Sequence, residues 1–267
     1  MTLTVGSLFS GIGGMDLGLE RAGMTVKWQS EIDPYCCDIL KKHWPEVPNY
    51  GDIKKINWSN VESTDIICGG YPCQPFSQAG QRKGEDDPRH LWPWVKDAIS
   101  VLRPRFVFLE NVQGHVSLGG TTVIKEITDI GYDCEWRVIS AAGLGAHHRR
   151  NRLIIVAYPF SLRQSLQSFG EISSLKESSS NGEKGGITNV ANASSVGGLR
   201  RRFTFEGFNE EVNRNALRGA QYWQTEPNLG RMANGVPRRV DRLKGLGNAV
   251  VPQMAEYAGR LILQSQA

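Results

Sequence analysis

The sequence lacks the features that would tie it to a membrane or to an oxidising compartment. No apolar run approaches the ~18 residues that a membrane-spanning helix needs, and no charged region with an apolar leader opens the chain. The 5 cysteines, an odd number without a CxxC pair, fit neither a disulfide framework nor a structural zinc pattern. We therefore expect free thiols, no bound metal and a cytoplasmic location.

A strong charge imbalance and an internal repeat are also missing. With 31 Lys and Arg against 27 Asp and Glu, the formal net charge is only +4, which permits a polyanionic partner without demanding one. The 267 residues, 40% of them hydrophobic, suffice for one α/β domain with a small added lobe.

Hydrophobic patterning alternates between strand-like and helix-like segments through residue 157. This alternation predicts a doubly wound, Rossmann-like α/β fold with a mostly parallel sheet, whose ligand crevice lies at the carboxyl ends of the strands. The predicted strands are 3–9, 25–30, 65–68, 106–109, 132–139 and 153–157, and the predicted helices are 15–22, 34–40, 91–102, 121–130 and 254–263.

The composition changes after this region. Residues 161–198 are rich in Ser, Asn and Gly with hardly any periodic apolar pattern, which predicts loop or disorder. We therefore divide the chain into a main domain of residues 1–157 plus 238–267 and a short second region of residues 158–237, partly low-complexity. Within that region, the basic cluster Arg200, Arg201 and Arg202 stands beside several aromatic residues.

Three features suggest a site for a nucleoside cofactor. The glycine turn of residues 9–14 follows the first strand and offers backbone amides at a helix N-terminus, although its spacing does not match the dinucleotide fingerprint G-x-G-x-x-G. Glu31 ends the second strand about 20 residues later and could accept hydrogen bonds from ribose hydroxyls. Asp52, near an expected third strand end, could bind an adenine amino group.

Cys73 differs from the other cysteines by its position. It stands in a loop rich in Gly and Pro that directly follows a buried strand, where a side chain faces ligand and not core. Cysteine is otherwise among the most buried residue types, so we expect the remaining thiols to be structural. These are Cys36, Cys37, Cys68 and Cys134.

Glu110 ends the apolar strand 106–109, where partial desolvation would raise its pKa and favour the protonated, hydrogen-bond-donating form. A basic run, His147 to Arg152, precedes the last strand. Its paired histidines have no third ligand at a suitable spacing, which argues against zinc. Its arginines could be a solvated run or could contact phosphates and bases.

Taken in order, these motifs resemble the cytosine-C5 DNA methyltransferase family. The resemblance covers residues 3–157 and 238–264, with a departure at 226–237, where the family's usual motif is not recognisable. The similar segments are Phe9–Gly14, Glu31-Ile32-Asp33, Gly51-Asp52-Ile53, Pro72-Cys73-Gln74 with Phe76-Ser77, Glu110-Asn111-Val112, Arg150-Asn151-Arg152 and Gly247–Pro252.

The resemblance implies S-adenosylmethionine as cofactor and 5-methylcytosine as product. It makes Cys73 the nucleophile, Glu110 the acid, and Arg150 and Arg152 the further catalytic residues. The implied cofactor-binding residues are Phe9, Ser10, Gly11, Gly13, Gly14, Glu31, Ile32, Asp52, Ile53, Pro72, Leu91, Asn248 and Ala249. The implied contacts to the nucleic acid are Gln74, Ser77, Val112, Arg200, Arg201 and Arg202.

The expected partner is double-stranded DNA, and the resemblance also allows a cognate restriction endonuclease, a monomer, and a bacterial or phage origin. Three alternatives stay open. An RNA cytosine methyltransferase could share this scaffold, although Ser77 after Phe76 favours DNA. A catalytically silent homologue is disfavoured because Cys73, Glu110 and Arg152 occur together. A nicotinamide-dependent oxidoreductase is disfavoured by the glycine spacing.

Overall fold

A six-stranded sheet organises the part of the chain that the computed structural model describes, namely residues 2–72, 91–116, 119–146, 148, 150–162 and 238–266. The strand order is β2-β1-β3-β4-β6-β5. The strands are β1 (Thr4–Leu8), β2 (Thr25–Ser30), β3 (Ile66–Gly69), β4 (Phe106–Val112), β5 (Tyr132–Ser140) and β6 (Asn151–Pro159).

The helices begin and end where the sequence carries cap and turn signals. Pro34 stands at the first turn of one helix behind Asp33, whose carboxylate accepts hydrogen bonds from two backbone amides, and Pro252 opens the last. The helices in the described residues are α1 (Gly14–Arg21), α2 (Pro34–His43), α3 (Trp92–Leu102), α4 (Gly120–Asp129), α5 (Arg239–Asn248) and α6 (Pro252–Gln264). None of them is long and apolar enough to cross a membrane.

The sheet is mostly parallel, as expected from the alternating pattern. Strands β2, β1, β3 and β4 pair in parallel, whereas β6 runs antiparallel to both β4 and β5. Because parallel strands bring their carboxyl ends to one edge, the segments that follow β1, β2 and β3 emerge on the same side as the end of β4. This confirms the predicted fold class.

Helices cover both faces of the sheet and form two hydrophobic cores. On one face α1 and α6 pack together, with Leu19, Met254 and Ile262 among the fully buried side chains. Small residues allow this approach, since a Cβ on Gly259 would lie 2.9 Å from that of Ala22. On the other face α3 and α4 bury residues such as Ile99 and Ile127. The last helix, α6, thus packs back onto the sheet.

One local expectation was wrong. In the described residues no strand lies between α2 and Asp52; a single parallel bridge between Gln29 and Asn49 takes the place of the expected strand. The chain then turns at Gly51, with φ of 73°, and Asp52 caps a short 3₁₀ helix (Ile53–Lys55) by accepting a hydrogen bond from the Lys54 amide at 3.1 Å. This local hydrogen bond favours the turn over an extended strand.

Candidate active site

The glycine turn connects β1 to α1 through left-handed backbone. Phe9, Gly11 and Gly13 have φ angles of 52°, 56° and 80°. Among the described residues, only the Phe9 carbonyl oxygen would be within reach of a Cβ added to Gly11, at 3.9 Å, so these residues leave open space beside the turn. By contrast, a Cβ on Gly13 would meet the ring of Trp44. One glycine therefore borders free volume, and the other allows close packing.

The carboxylate of Glu31 lies against this turn. Its Oε2 accepts a hydrogen bond from the Gly11 amide at 2.7 Å, and its Oε1 accepts from the amides of Ile32 and Asp33 at 2.9 and 2.8 Å. Ile32 is 66% exposed, which is unusual for so apolar a side chain. The end of β2 thus presents a fixed carboxylate beside an exposed apolar surface.

The remaining predicted cofactor residues fall into three settings. Ser10 is buried and donates to the Ser7 carbonyl at 3.2 Å, and Ile53 is a core side chain with 4% exposure. Asp52 is half-buried at the start of its 3₁₀ helix. Pro72 and Leu91 are half-buried and stand directly before and after residues 73–90, which lie outside the described residues. Asn248 is exposed at the end of α5.

The C-terminal segment closes onto the glycine turn. A Cβ on Gly14 would collide with the Val250 carbonyl oxygen, so the two backbones are in close contact. Lys244 of α5 pairs with Asp33 at 2.7 Å, and the hydrogen bond from Lys244 is the main cause of a lowered pKa for Asp33. Arg150 donates to the carbonyls of Gly247 and Ala249 at 2.8 and 2.7 Å. In this structure Arg150 therefore holds the C-terminal segment.

Glu110 and Arg152 form a buried ion pair between β4 and β6; Glu110 lies inside β4, which continues to Val112 and does not end at Leu109 as predicted. Arg152 Nε lies 2.5 Å from Glu110 Oε1, and the two side chains are only 18% and 9% exposed. Burial raises the pKa of Glu110, while the charges of Arg152 and Arg150 oppose that shift. Val112, opposite Arg152 in the antiparallel register, is 39% exposed at the strand end.

The segment that follows β3 passes directly over this pair. A Cβ on Gly70 would lie 3.1 Å from Glu110 Oε2, so a larger residue there would crowd the carboxylate. Asn111 donates its side-chain amide to the Tyr71 carbonyl at 3.0 Å, and the buried Tyr71 hydroxyl is hydrogen-bonded to His115 Nε2 at 2.7 Å. The Tyr71 ring also packs on Trp92, with centroids 5.4 Å apart.

Sequence reasoning missed Tyr71 and His115 as parts of this framework, and it missed two further polar residues. Asp16 is fully buried beneath the glycine turn and accepts hydrogen bonds from Ser7 and Gln29 at 3.0 and 2.8 Å. Asn49 contacts the backbone of Glu31. A polar residue inside an apolar helical pattern was the signal for Asp16, whereas nothing local distinguished Asn49.

Several predicted site residues lie outside the described part of the chain. These are Cys73, Gln74, Ser77, Arg200, Arg201 and Arg202. The structure brings together Glu110, Arg152 and the residues leading to Pro72. At the neighbouring strand ends it brings together the glycine turn, Glu31 and Asp52. Among the described residues no group of three His, Cys, Asp or Glu side chains is arranged to hold a metal ion.

Comparison with known proteins gives a consistent family assignment. Residues 3–227 match the family model of C-5 cytosine-specific DNA methylases. The type II methyltransferase M.Eco47II of Escherichia coli is 37% identical over 193 residues, which cover 67% of this chain and 46% of that protein. M.NgoBI of Neisseria gonorrhoeae is 32% identical, over 64% of this chain and 56% of its own length. The chain thus spans about half the length of the curated relatives it matches.

Solved structures share the fold over nearly the whole chain. A DNA modification methyltransferase encoded within an E. coli prophage has a TM-score of 0.61 at 20% identity, with 99% of each chain covered. The DNMT2 of Spodoptera frugiperda has a TM-score of 0.62 at 13% identity, with 98% of this chain and 100% of that chain covered. At these identities the likeness concerns the fold alone.

Proposed function

The chain belongs to the C-5 cytosine-specific DNA methylase family, and from that premise we propose that it transfers a methyl group from S-adenosylmethionine to carbon 5 of a cytosine in DNA. The observation that carries this proposal is the buried Glu110–Arg152 pair, which Gly70 approaches just before Pro72 and Cys73. A carboxyl group and a guanidinium held side by side can engage two neighbouring polar atoms of one planar base.

The residues at the β1 and β2 ends fit S-adenosylmethionine. The open space beside Gly11 admits a ligand close to the backbone, Glu31 offers a fixed carboxylate to ribose hydroxyls, and the exposed Ile32 offers an apolar surface to a flat adenine ring. Asp52 would accept from the adenine amino group. When bound there, S-adenosylmethionine would supply an electrophilic methyl group.

The chain's own residues would activate the base. Carbon 5 of cytosine is a poor nucleophile, so the Cys73 thiolate would first add to carbon 6 and push the ring electrons towards carbon 5. Glu110 would donate a proton or a strong hydrogen bond to ring nitrogen 3, and Arg152 would orient the base through its carbonyl oxygen. After methylation, loss of the carbon-5 proton and expulsion of Cys73 would restore the aromatic ring.

This chemistry requires a cytosine outside the double helix. Carbon 6 cannot be reached inside a stacked duplex, so we propose that the target base is flipped into the site, at a cost of a few kcal/mol. Residues 158–237 would form the target-recognition region, with Arg200, Arg201 and Arg202 as phosphate contacts. We include a cognate restriction endonuclease among the proposed partners because the matched relatives are type II methyltransferases.

An assay on duplex DNA and tRNA in parallel, with isotopically labelled S-adenosylmethionine, tests the proposed activity. We expect labelled 5-methylcytosine in the DNA hydrolysate and none with the Cys73→Ala variant. Label in tRNA alone would contradict the DNA activity and indicate an RNA cytosine methyltransferase. Absence of label in both substrates, with S-adenosylmethionine bound, would instead favour a silent homologue.

A further inference from the structure

Asn49 occupies a junction between two segments of the proposed cofactor site. Its Oδ1 accepts hydrogen bonds from the backbone amides of Glu31, at 2.9 Å, and Gly51, at 3.0 Å. Its Nδ2 donates to the Glu31 carbonyl at 3.1 Å and to Cys37 Sγ at 3.3 Å. Two acceptor positions and two donor protons are all that a side-chain amide has. The hydrogen-bonding capacity of Asn49 is therefore fully used.

This bonding is not explained by the hydrophobic core. Asn49 is exposed, in the connection between α2 and the 3₁₀ helix that begins at Ile53. Exposed amides are normally solvated, and ordering one costs side-chain entropy. Here three of the hydrogen bonds join the Asn49 amide to backbone groups: the N–H and C=O of Glu31 and the N–H of Gly51, the residue before Asp52. The amide thus joins the end of β2 to the turn at Gly51.

A second side chain supports the same junction. Ser30, the last residue of β2, donates its hydroxyl to the Gly51 carbonyl at 2.7 Å. Ser30 restrains the Gly51 carbonyl, and Asn49 restrains the Gly51 amide together with both backbone groups of Glu31. The side-chain carboxylate of Glu31 is in turn oriented by the Gly11 amide. Asn49 therefore fixes the backbone from which the Glu31 carboxylate projects, and together with Ser30 it fixes the turn that leads to Asp52.

We propose that Asn49 is the positioning residue of the cofactor pocket, fixing Glu31 and Asp52 at the separation that the adenosine part of the cofactor requires. The inference rests on the proposed function, because it takes Glu31 and Asp52 as cofactor contacts. Asn49 itself acts through these residues. Its loss should weaken cofactor binding while leaving the rate at saturating cofactor nearly unchanged.

Replacement by aspartate separates this role from a purely steric one. Asn49→Asp keeps the shape and the acceptor oxygen but replaces Nδ2 by an anionic oxygen that faces the Glu31 carbonyl, so an attraction becomes a repulsion. Asn57 provides the matched control. It is also exposed, and among the described residues its side chain makes one hydrogen bond, in which its oxygen accepts from the Ser59 amide at 3.2 Å, a contact that aspartate retains.

Calorimetric titration of the full chain with S-adenosylhomocysteine tests the proposal, with Glu31→Ala and the double variant measured beside it. We expect Kd to rise about tenfold or more for Asn49→Asp and less than twofold for Asn57→Asp. Because Asn49 acts through Glu31, the double variant should be weakened by less than the product of the two single effects. The methylation assay should show a raised KM for the cofactor and a kcat within about twofold of wild type.

The outcomes distinguish this inference from the function on which it rests. If Glu31→Ala weakens cofactor binding but Asn49→Asp does not, the positioning role of Asn49 is wrong and the proposed cofactor site is retained. Weakening by Asn49→Asp but not by Glu31→Ala overturns the proposed route through Glu31. Absence of binding by the wild-type chain overturns both the cofactor site and the inference. If kcat of Asn49→Asp falls by as large a factor as Kd rises, the inference is also contradicted, because a general loss of structure would lower kcat and affinity together.

Discussion

The cofactor end of the site, formed by residues 9–14, 31–33 and 49–52, is built differently from the catalytic end around Glu110 and Arg152. At the cofactor end, half-buried or exposed side chains are oriented by backbone amides. At the catalytic end, a carboxylate and a guanidinium are withdrawn from water and face each other. Because of this difference, substitutions at the cofactor end should lower the affinity for the cofactor. Substitutions at the catalytic end should lower the rate of methyl transfer.

Cys73→Ala is expected to have the largest effect, because no other group is proposed to add to carbon 6. Methylation of duplex DNA should be abolished while Kd for S-adenosylhomocysteine stays within about twofold of wild type, as measured by calorimetry. A variant that still methylates would refute the nucleophile. A variant that no longer binds the cofactor would break the separation between the two ends.

Glu110→Gln should lower the single-turnover rate by roughly 10²–10⁴ without changing cofactor affinity, since general acid–base groups contribute on that scale. Burial raises the pKa of Glu110, so its protonated form persists to higher pH than that of an ordinary glutamate. Glu256→Gln, at a carboxylate paired with Arg260 on α6, is the control and should leave the rate unchanged. Equal rates for both variants would remove Glu110 from the chemistry.

Asp16 sharpens the comparison, because it is a fully buried carboxylate beneath the glycine turn of the cofactor end. Burial raises its pKa from 3.8 to about 6, so the folded state binds the proton more tightly than the unfolded state. Its contribution is favourable below pH ~4 and is lost as pH rises to ~6, by on the order of 3 kcal/mol. Asp16→Asn should remove this slope from the free energy of unfolding, measured with urea between pH 4 and 7.5.

The same substitution at the exposed Asp97 of α3 provides the control for that experiment, and it should leave the pH slope as in wild type. If the free energies of unfolding of Asp16→Asn and wild type change with pH in the same way between pH 4 and 7.5, the Asp16 carboxylate does not titrate as its burial requires.

Glu31→Ala should weaken cofactor binding by about 1.5–3 kcal/mol, which is typical for the loss of hydrogen bonds to a charged group. The rate at saturating cofactor should largely survive, which is the opposite of the expectation for Glu110→Gln. Calorimetry on both variants makes the comparison directly. An unchanged Kd for Glu31→Ala would remove the ribose contact from the account.

Deletion of residues 163–190 should have the smallest effect, because their low-complexity sequence offers few side chains for rigid readout of base edges. Activity on duplex DNA should change by no more than a few-fold, with the methylated sequence unaltered. Methylome mapping of a host without endogenous methylation would check this. A changed target sequence would show that these residues take part in recognition.

The sequence predicted those parts of the site that depend on local pattern. The strand-like segment 25–30 and the apolar run 106–109 predicted the strand that leads to Glu31 and the strand that carries Glu110, and the glycine spacing predicted the turn at Gly11. Arg150 was recognised in a motif, but its contacts with Gly247 and Ala249 join residues 97 and 99 positions apart. Such contacts depend on how distant segments pack, which periodicity does not encode.

The expected strand before Asp52 failed for a related reason. The single bridge between Gln29 and Asn49 and the capping of the following turn by Asp52 replace a ladder of hydrogen bonds. Likewise, the hydrogen bond between Tyr71 and His115 spans 44 positions. The roles of the predicted site residues themselves stay predictions.

Trapping on DNA that contains 5-fluorocytosine tests the central claim most directly. In such a substrate carbon 5 carries fluorine in place of the proton that must leave, so the Cys73–carbon 6 bond cannot be released after methylation. With S-adenosylmethionine present, we predict a stable protein–DNA adduct whose peptide map assigns the cross-link to Cys73, and none with Cys73→Ala. Methylation of ordinary DNA without any such adduct, or an adduct at another residue, would contradict the account.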